Sequence, residues 1–475
     1  MNRAAAWRGV CSSSRVHNHS GSSSELPPLV YGLEARVPIG PAFLVGAQHV
    51  SAMVVGTITP PLILAGILKF PPETTAYLVS IALLASAVGA FLQCRQRGPF
   101  GSGLLSVTGT SFAFLQPLAQ AGAAGGLALM LGMSCVTAPL LIVLSPLLSR
   151  LRRVFTPLVS GVVVLLIGAS LIPSAYFSLA TPLHEGAPLW QSLLVGAAVI
   201  AVIAVTQALG KPWLRIAGAA VGVLVGCAIC AFFGGLHPPP ASSGAWLTWP
   251  HFLPHGFAFD WKFVLPFGFI YLVSVLEAMG DMTATEQLSG VETEGPAHWR
   301  RLSGGVLVDG TLSTVSALFG GFPSATYAQN NGVIQITGVA SRRIGYVMAA
   351  ILAVLGLIPA VGRWVTAMPP PVLGGLAVLM FGLVAVSGLR LLISAGLGQR
   401  EGVIVALSLG VGLGLPTQPT LIHSLPGFAQ ALLESGISAG GLTALFLNLV
   451  WPPKVPDTVV VPPSRPDVPT ESSVH

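Results

Sequence analysis

Charged residues are scarce. Asp, Glu, Lys and Arg make up 8% of the 475 residues, against roughly 25% in a soluble domain, while 53% are hydrophobic. So little charge cannot clothe a water-facing surface of this size, which excludes a soluble globular protein. Cysteine is scarce as well: Cys11, Cys94, Cys135, Cys227 and Cys230 are too scattered for a disulfide framework. Cys227 and Cys230 form a CxxC pair inside an apolar run, where helix packing is a better reading than redox chemistry. No Cys/His cluster has metal-ligand spacing, no phosphate-binding loop is present, and no nucleophile–base pair is set up for covalent chemistry. An enzyme is not expected, nor a cofactor or a metal. A formal charge of +6 would suggest nucleic acid in a soluble protein. Here the basic residues sit between apolar runs, so their placement matters more than their sum, and no nucleic-acid partner is expected.

What the chain does have is long apolar runs. A helix needs about 20 apolar residues to cross a bilayer. That ruler predicts fourteen segments, near 39–58, 74–93, 101–119, 124–148, 154–173, 190–209, 214–234, 263–286, 302–320, 327–341, 344–362, 371–389, 402–418 and 430–451. With the N-terminus on the cytoplasmic side, 19 of the 22 basic residues fall on that side and only Lys69, Lys262 and Arg363 on the other. This is the asymmetry expected of cytoplasmic loops. Both ends are then cytoplasmic: residues 1–37 and 452–475 read as disordered tails. The Pro- and Trp-rich stretch at 236–262 reads as an external linker.

That linker divides the segments seven and seven. Seven is odd, so the second set enters the membrane in the opposite direction, the arithmetic of an inverted-topology repeat. Such repeats place broken helices at matching positions. The third segment holds Gly98, Pro99, Gly101, Gly103 and Gly109 in or just before it, and the tenth follows Gly320, Gly321 and Pro323. Non-helical backbone at membrane depth survives only inside protein or along a cavity. Two half-helices are therefore expected to aim N-terminal amides at a common point. Glycine stripes at Gly218, Gly222 and Gly226, and at Gly410 and Gly414, read as close helix packing.

Polar residues inside these runs carry the chemistry. A charged side chain at the bilayer centre costs about 2.5–3.5 kcal/mol on insertion scales. Ser274, Glu277, Asp281 and Thr285 recur at three and four residues, forming one stripe on a helix. Two acids one turn apart in a poorly hydrated site repel, so at least one is expected to hold a proton. Asp309, with Ser313 and Ser316, repeats the pattern more sparsely and suits proton handling or helix positioning. Gln48 and His49 in the first segment read either as packing residues or as supports for the acids. Gln329, Asn330 and Asn331 open the helical part of the tenth segment.

At QNNGVIQIT the chain resembles the nucleobase/ascorbate transporter family, whose signature is Gln, Glu or Pro followed by Asn-x-Gly-x-x-x-x-Thr. Gln329, Asn330, Gly332 and Thr337 fill it. Gln48–His49, the SGLLSVTGTSF stretch at 102–112 and EAMGD at 277–281 agree in order and spacing.

The resemblance implies an all-α polytopic membrane fold of fourteen segments, with short β-like pieces in segments three and ten. A core domain would take residues 38–152 and 263–363, and a gate domain residues 153–235 and 364–451. It implies a homodimer in the plasma or inner cell membrane. Glu277 and Gln329 would hydrogen-bond a purine ring, Phe112 would stack on it, and backbone at Ser111 and Ala328 would add contacts. Asp281, Asp309, His49, Gln48, Asn330, Gly332 and Thr337 would shape the site or couple it to protons. Gly338 departs from the basic residue some members carry after the threonine. Gln at 329 resembles microbial purine carriers, where ascorbate carriers have Pro.

The expected activity is proton-coupled symport of xanthine and/or uric acid by alternating access. Transport of uracil or another nucleobase is the alternative. An inorganic-anion exchanger of the same general fold is disfavoured because a carboxylate at 277 would repel its cargo.

Overall fold

A computed structural model describes residues 29–451 except 152–155, 210–211, 237–246, 328, 425–429, 431–432 and 434. Apolar runs become helices because, without water, backbone donors and acceptors must be satisfied within the segment. In chain order the helices are α1 (Ile39–Leu68), α2 (Pro72–Cys94), α3 (Leu115–Thr137), α4 (Pro139–Leu144), α5 (Leu148–Leu151), α6 (Pro157–Leu179), α7 (Leu189–Ala208) and α8 (Pro212–Phe232). The second half holds α9 (Val264–Leu288), α10 (Gly295–Leu318), α11 (Gln329–Thr337), α12 (Arg343–Leu357), α13 (Pro359–Thr366), α14 (Pro370–Ala395), α15 (Gln399–Gly414), α16 (Pro419–His423) and α17 (Gly436–Val450). Among the described residues, seven helical stretches are long and apolar enough to cross a membrane. The number is eight if α12 and α13, bent by 74°, count as one span.

The two segments expected to be irregular are irregular, and the α12–α13 stretch is bent as well. Residues 101–107 have no regular structure, β1 (Thr108–Thr110) follows, and a 3-10 turn at Phe112–Phe114 leads into α3. In the tenth segment β2 (Ser324–Thr326) precedes α11. The strands pair antiparallel, Thr108 opposite Thr326 and Thr110 opposite Ser324. The backbone here is thus paired inside protein, and all six strand residues are buried. Gly109 is required here: a Cβ would stand 2.6 Å from the Tyr327 ring and 2.7 Å from Thr57 Oγ1. Downstream, α3 breaks at Gly125–Gly126, where Gly126 takes φ 64° and ψ −161°. The break separates the third expected segment from the fourth.

Around this crossing, α2 packs on α12, α1 and α10, and α9 lies against α3 and α10. A second set pairs α14 with α6 and α7, α7 with α8, and α15 with α17. The α6–α14 contact is close enough that a Cβ at Gly168 would lie 2.4 Å from the Ala385 nitrogen, and one at Gly388 2.3 Å from the Leu165 nitrogen. The first glycine stripe packs as expected, Gly218 and Gly222 against Thr206 and Ile203 of α7. The second does not. Gly410 and Gly414 have open space beside them, and the packed glycine of α15 is Gly412, facing the Gly436 carbonyl. Cys227 and Cys230 are free thiols on α8.

The ends differ from the sequence reading in part. Residues 1–28 and 452–475 lie outside the described residues, but 29–36 are held in place. Tyr31 bridges Val339, the Ser341 hydroxyl donates to the Ala35 carbonyl at 2.7 Å, and Arg342 pairs with Glu34 at 2.6 Å. These partners come from the chain after α11, and no local pattern in residues 29–36 announces them.

Candidate functional site

The site assembles where α9 and α10 pass the β1–β2 crossing. On α9, Ser274 and Thr285 are buried and Glu277 and Asp281 half-buried, so the stripe faces inward. Thr285 Oγ1 lies 2.8 Å from the Asp281 carbonyl and 2.7 Å from Asn331 Oδ1, and Asn331 Nδ2 donates to the same carbonyl at 3.2 Å. Asn331 therefore ties α11 to the acid stripe. Sequence reasoning gave Asn331 no role, because the family signature leaves its position free. Glu277 and Asp281 stand one turn apart on the same face of α9.

Asp309 is the most enclosed of the three acids, 1% exposed. Its Oδ1 accepts from Gln93 Nε2 at 3.1 Å and Thr108 Oγ1 at 3.4 Å, and its Oδ2 from Thr326 Oγ1 at 2.9 Å. Gln93 Nε2 also donates to the Gly305 carbonyl at 3.0 Å. One carboxylate thus joins α2, α10 and both strands. Of the two roles open to it, this geometry favours positioning. Ser313, one turn on, exchanges bonds of 3.0 and 3.2 Å with the Ser324 backbone. Tyr327 closes the crossing from the other side, its hydroxyl donating to the Thr110 carbonyl at 2.6 Å. Neither Gln93 nor Tyr327 stood out in the sequence: a glutamine near a helix end and a tyrosine after a strand are ordinary.

His49 of α1 is fully buried, its Nδ1 2.7 Å from Asn330 Nδ2. An amide nitrogen only donates, so Nδ1 accepts and the ring proton sits on Nε2. His49 Nε2, Asn330 Oδ1 and Gln48 Oε1 are buried without a recorded protein partner among the described residues. Buried polar atoms are nearly always satisfied, so these three are groups to which a further polar partner could bond. Gln329 opens α11, but its side chain, like the whole of Ala328, lies outside the described residues.

Phe112 begins the 3-10 turn after β1, 8% exposed, with its edge toward Phe381 of α14 at 5.8 Å between ring centres. The Ser111 N–H is committed to the Pro323 carbonyl at 2.9 Å and, as Ser111 caps the 3-10 turn, its carbonyl takes the first bond of that turn, which leaves its hydroxyl and the carbonyl's second lone pair. Thr337 ends α11, its hydroxyl donating to the Val333 carbonyl at 2.8 Å and accepting from the Val339 N–H at 3.2 Å. Gly338 follows at φ 65°, the left-handed conformation a helix end favours. Nothing lies within 4 Å of a Cβ placed on Gly332, so packing does not demand glycine there.

A fourth acid, Glu286, is also fully buried near the end of α9. Sequence reasoning left it as the last residue of the eighth segment with no role; its partners, His298 and Arg301, come from α10.

Residues 40–421 match the model of a family described as a permease family. Xanthine permease XanP of Escherichia coli (strain K12) is 40% identical over 444 residues, covering 90% of this chain and 95% of the relative. Xanthine permease XanQ of the same strain is 40% identical over 448 residues, covering 92% and 95%. A purine permease of Emericella nidulans is 32% identical over 497 residues, covering 90% and 85%. Two solved structures share the fold at low identity. The transmembrane domain of the cyanobacterial bicarbonate transporter BicA has a TM-score of 0.51 at 16% identity, covering 77% of this chain and all of that one. Murine Slc26a9 in its inward-facing state has 0.57 at 11%, covering 88% and 69%. With one family model spanning most of its length and permeases at this identity end to end, the chain is a multi-pass membrane permease, not an enzyme, and belongs to the nucleobase/ascorbate transporter family.

Proposed function

We propose that the protein imports a purine base, xanthine and/or uric acid, together with a proton. The observation that carries this reading is the meeting of the α9 acid stripe with the start of α11, through Asn331 and Thr285, in a chain 40% identical to xanthine permeases. A xanthine or urate edge presents adjacent N–H donors and C=O acceptors. Glu277 accepts N–H bonds and Gln329 offers both kinds of group. Phe112 supplies an aromatic face for a flat heterocycle, while Ser111 and Ala328 supply backbone groups. His49, Gln48 and Asn330 steady the start of α11, Thr337 and Gly332 shape its length and approach, and Asp309 holds the crossing.

A proton on the Glu277–Asp281 pair offsets its charge and lets the loaded carrier reorient. A membrane potential of 100 mV supplies about 2.3 kcal/mol per charge, roughly a 50-fold gradient at about 1.4 kcal/mol per tenfold, so one proton suffices for useful accumulation. In this reading the chain forms fourteen segments as an inverted repeat. Residues 38–152 and 263–363 make a core that moves against a gate of 153–235 and 364–451. The carrier works as a homodimer in the plasma or inner cell membrane with both termini cytoplasmic.

The test is uptake of labelled xanthine, with and without a protonophore, competed by urate, uracil, adenine and ascorbate. Glu277→Gln is expected to abolish protonophore-sensitive accumulation. Accumulation at the wild-type level in that variant would refute the coupling role, and preferential competition by uracil would move the substrate to the pyrimidines.

A further inference from the structure

One charged cluster and one cavity take no part in the site above, and they meet at His298. Glu286 accepts hydrogen bonds from His298 Nδ1 at 2.5 Å and Arg301 NH1 at 3.2 Å, and the same Arg301 nitrogen donates to the Glu292 carbonyl at 3.3 Å. The cluster clips the end of α9 to the start of α10. A carboxylate beside an arginine only accepts, so His298 Nδ1 is the donor and Nε2 is the ring nitrogen left outside the clip. The His298 side chain is 8% exposed.

His298 also lines a cavity of about 450 Å³. Ser160 of α6, Thr283 and Gln287 of α9 and His298 of α10 give this cavity its polar groups; Met279 and Leu391 are among its apolar walls. Its walls come from both helix sets, α9 and α10 on one side and α6 and α14 on the other. The α9 wall, which includes Leu276 and Gly280, precedes Glu277 and Asp281 by one residue, a rotation of about 100° around the helix. The cavity thus lies on the next face round from the acid stripe, toward the end of α9 that leads to Arg300 and Arg301.

We propose that this cavity is a second, transit subsite for the flat, N–H-bearing purine at the cytoplasmic mouth, with His298 Nε2 accepting a ring N–H and Glu286 orienting it. Apolar walls take the faces of the heterocycle, and Ser160, Thr283 and Gln287 meet its polar edge. The assignment rests on the transport reading above. It adds a binding step used only from the cytoplasmic face.

Counterflow of labelled xanthine by the full chain, in inside-out and right-side-out vesicles, tests it. His298→Phe is expected to raise the half-saturating concentration about tenfold from the Arg300/Arg301 face and less than twofold from the other; tenfold corresponds to about 1.4 kcal/mol, the scale of one hydrogen bond. Glu286→Gln, which loosens the imidazole, and Thr283→Val, which alters the wall without touching the clip, are expected to give the same asymmetry in smaller measure. Thr283→Val keeps the test decisive should His298→Phe fail to insert. Equal changes from both faces, or none from either, overturn the subsite while wild-type counterflow leaves the transport reading standing. Absence of counterflow by the wild type in both orientations overturns both.

Discussion

Thr326→Val tests whether Asp309 holds the strand crossing. The substitution keeps the shape of the side chain and suits a strand, so what it removes is one hydroxyl. That hydroxyl donates to Asp309 Oδ2 at 2.9 Å, whereas Gln93 and Thr108 both reach Oδ1, at 3.1 and 3.4 Å. Hydrogen bonds to a charged group contribute about 1.5–3 kcal/mol, and Asp309 is too buried for water to replace the lost donor easily. The expected loss is about 2 kcal/mol. Thr108→Val is the control: its bond lies beyond the usual 2.7–3.2 Å range, and about 0.5 kcal/mol or less is expected. Unfolding of the full chain by SDS in mixed micelles, followed by circular dichroism, measures both. A double-mutant cycle with Asp309→Ala then isolates each pair. Coupling of about 1.5 kcal/mol or more is expected for Thr326 and under about 0.5 for Thr108. Equal couplings, or a negligible one for Thr326, would refute the view of Asp309 as a staple.

Three further outcomes are expected. Gly109→Ala should abolish xanthine uptake and lower the unfolding midpoint, since its Cβ would stand 2.6 Å from the Tyr327 ring; Gly332→Ala, with open space beside it, should leave the midpoint unchanged. Gln329→Ala should raise the KM for xanthine at least tenfold while Gln335→Ala changes it less than twofold, and similar effects would detach Gln329 from substrate binding. In a background without the five native cysteines, Arg343→Cys should react with an impermeant thiol reagent from the cytoplasmic side and Lys69→Cys from the opposite side. The reverse pattern would invert the topology.

Much of this molecule was legible in its sequence because hydrocarbon is an unforgiving solvent. The acid stripe of Ser274, Glu277, Asp281 and Thr285 could be read from spacing alone, because a helix fixes which residues share a face. The breaks at 101–111 and 320–327 could be read from glycine and proline where helix would otherwise continue. The signature at 329–337 identified the family. The partners of those residues could not be read. Asp309 meets Gln93, 216 residues away, and Thr326, 17 away, and neither spacing belongs to any periodic element.

The sequence by itself determined that this is a membrane protein and that Glu277, Asp281 and Asp309 lie within apolar runs, since burial of charge in oil leaves few local solutions. Tertiary structure alone decided that β1 and β2 pair, that Asp309 bonds to both strands and that Asn331 bonds across from α11 to α9. It also decided that Glu286 is buried against α10 and that residues 29–36 dock after α11. Each of these is a contact between distant stretches, set by how helices pack rather than by the residues on either side.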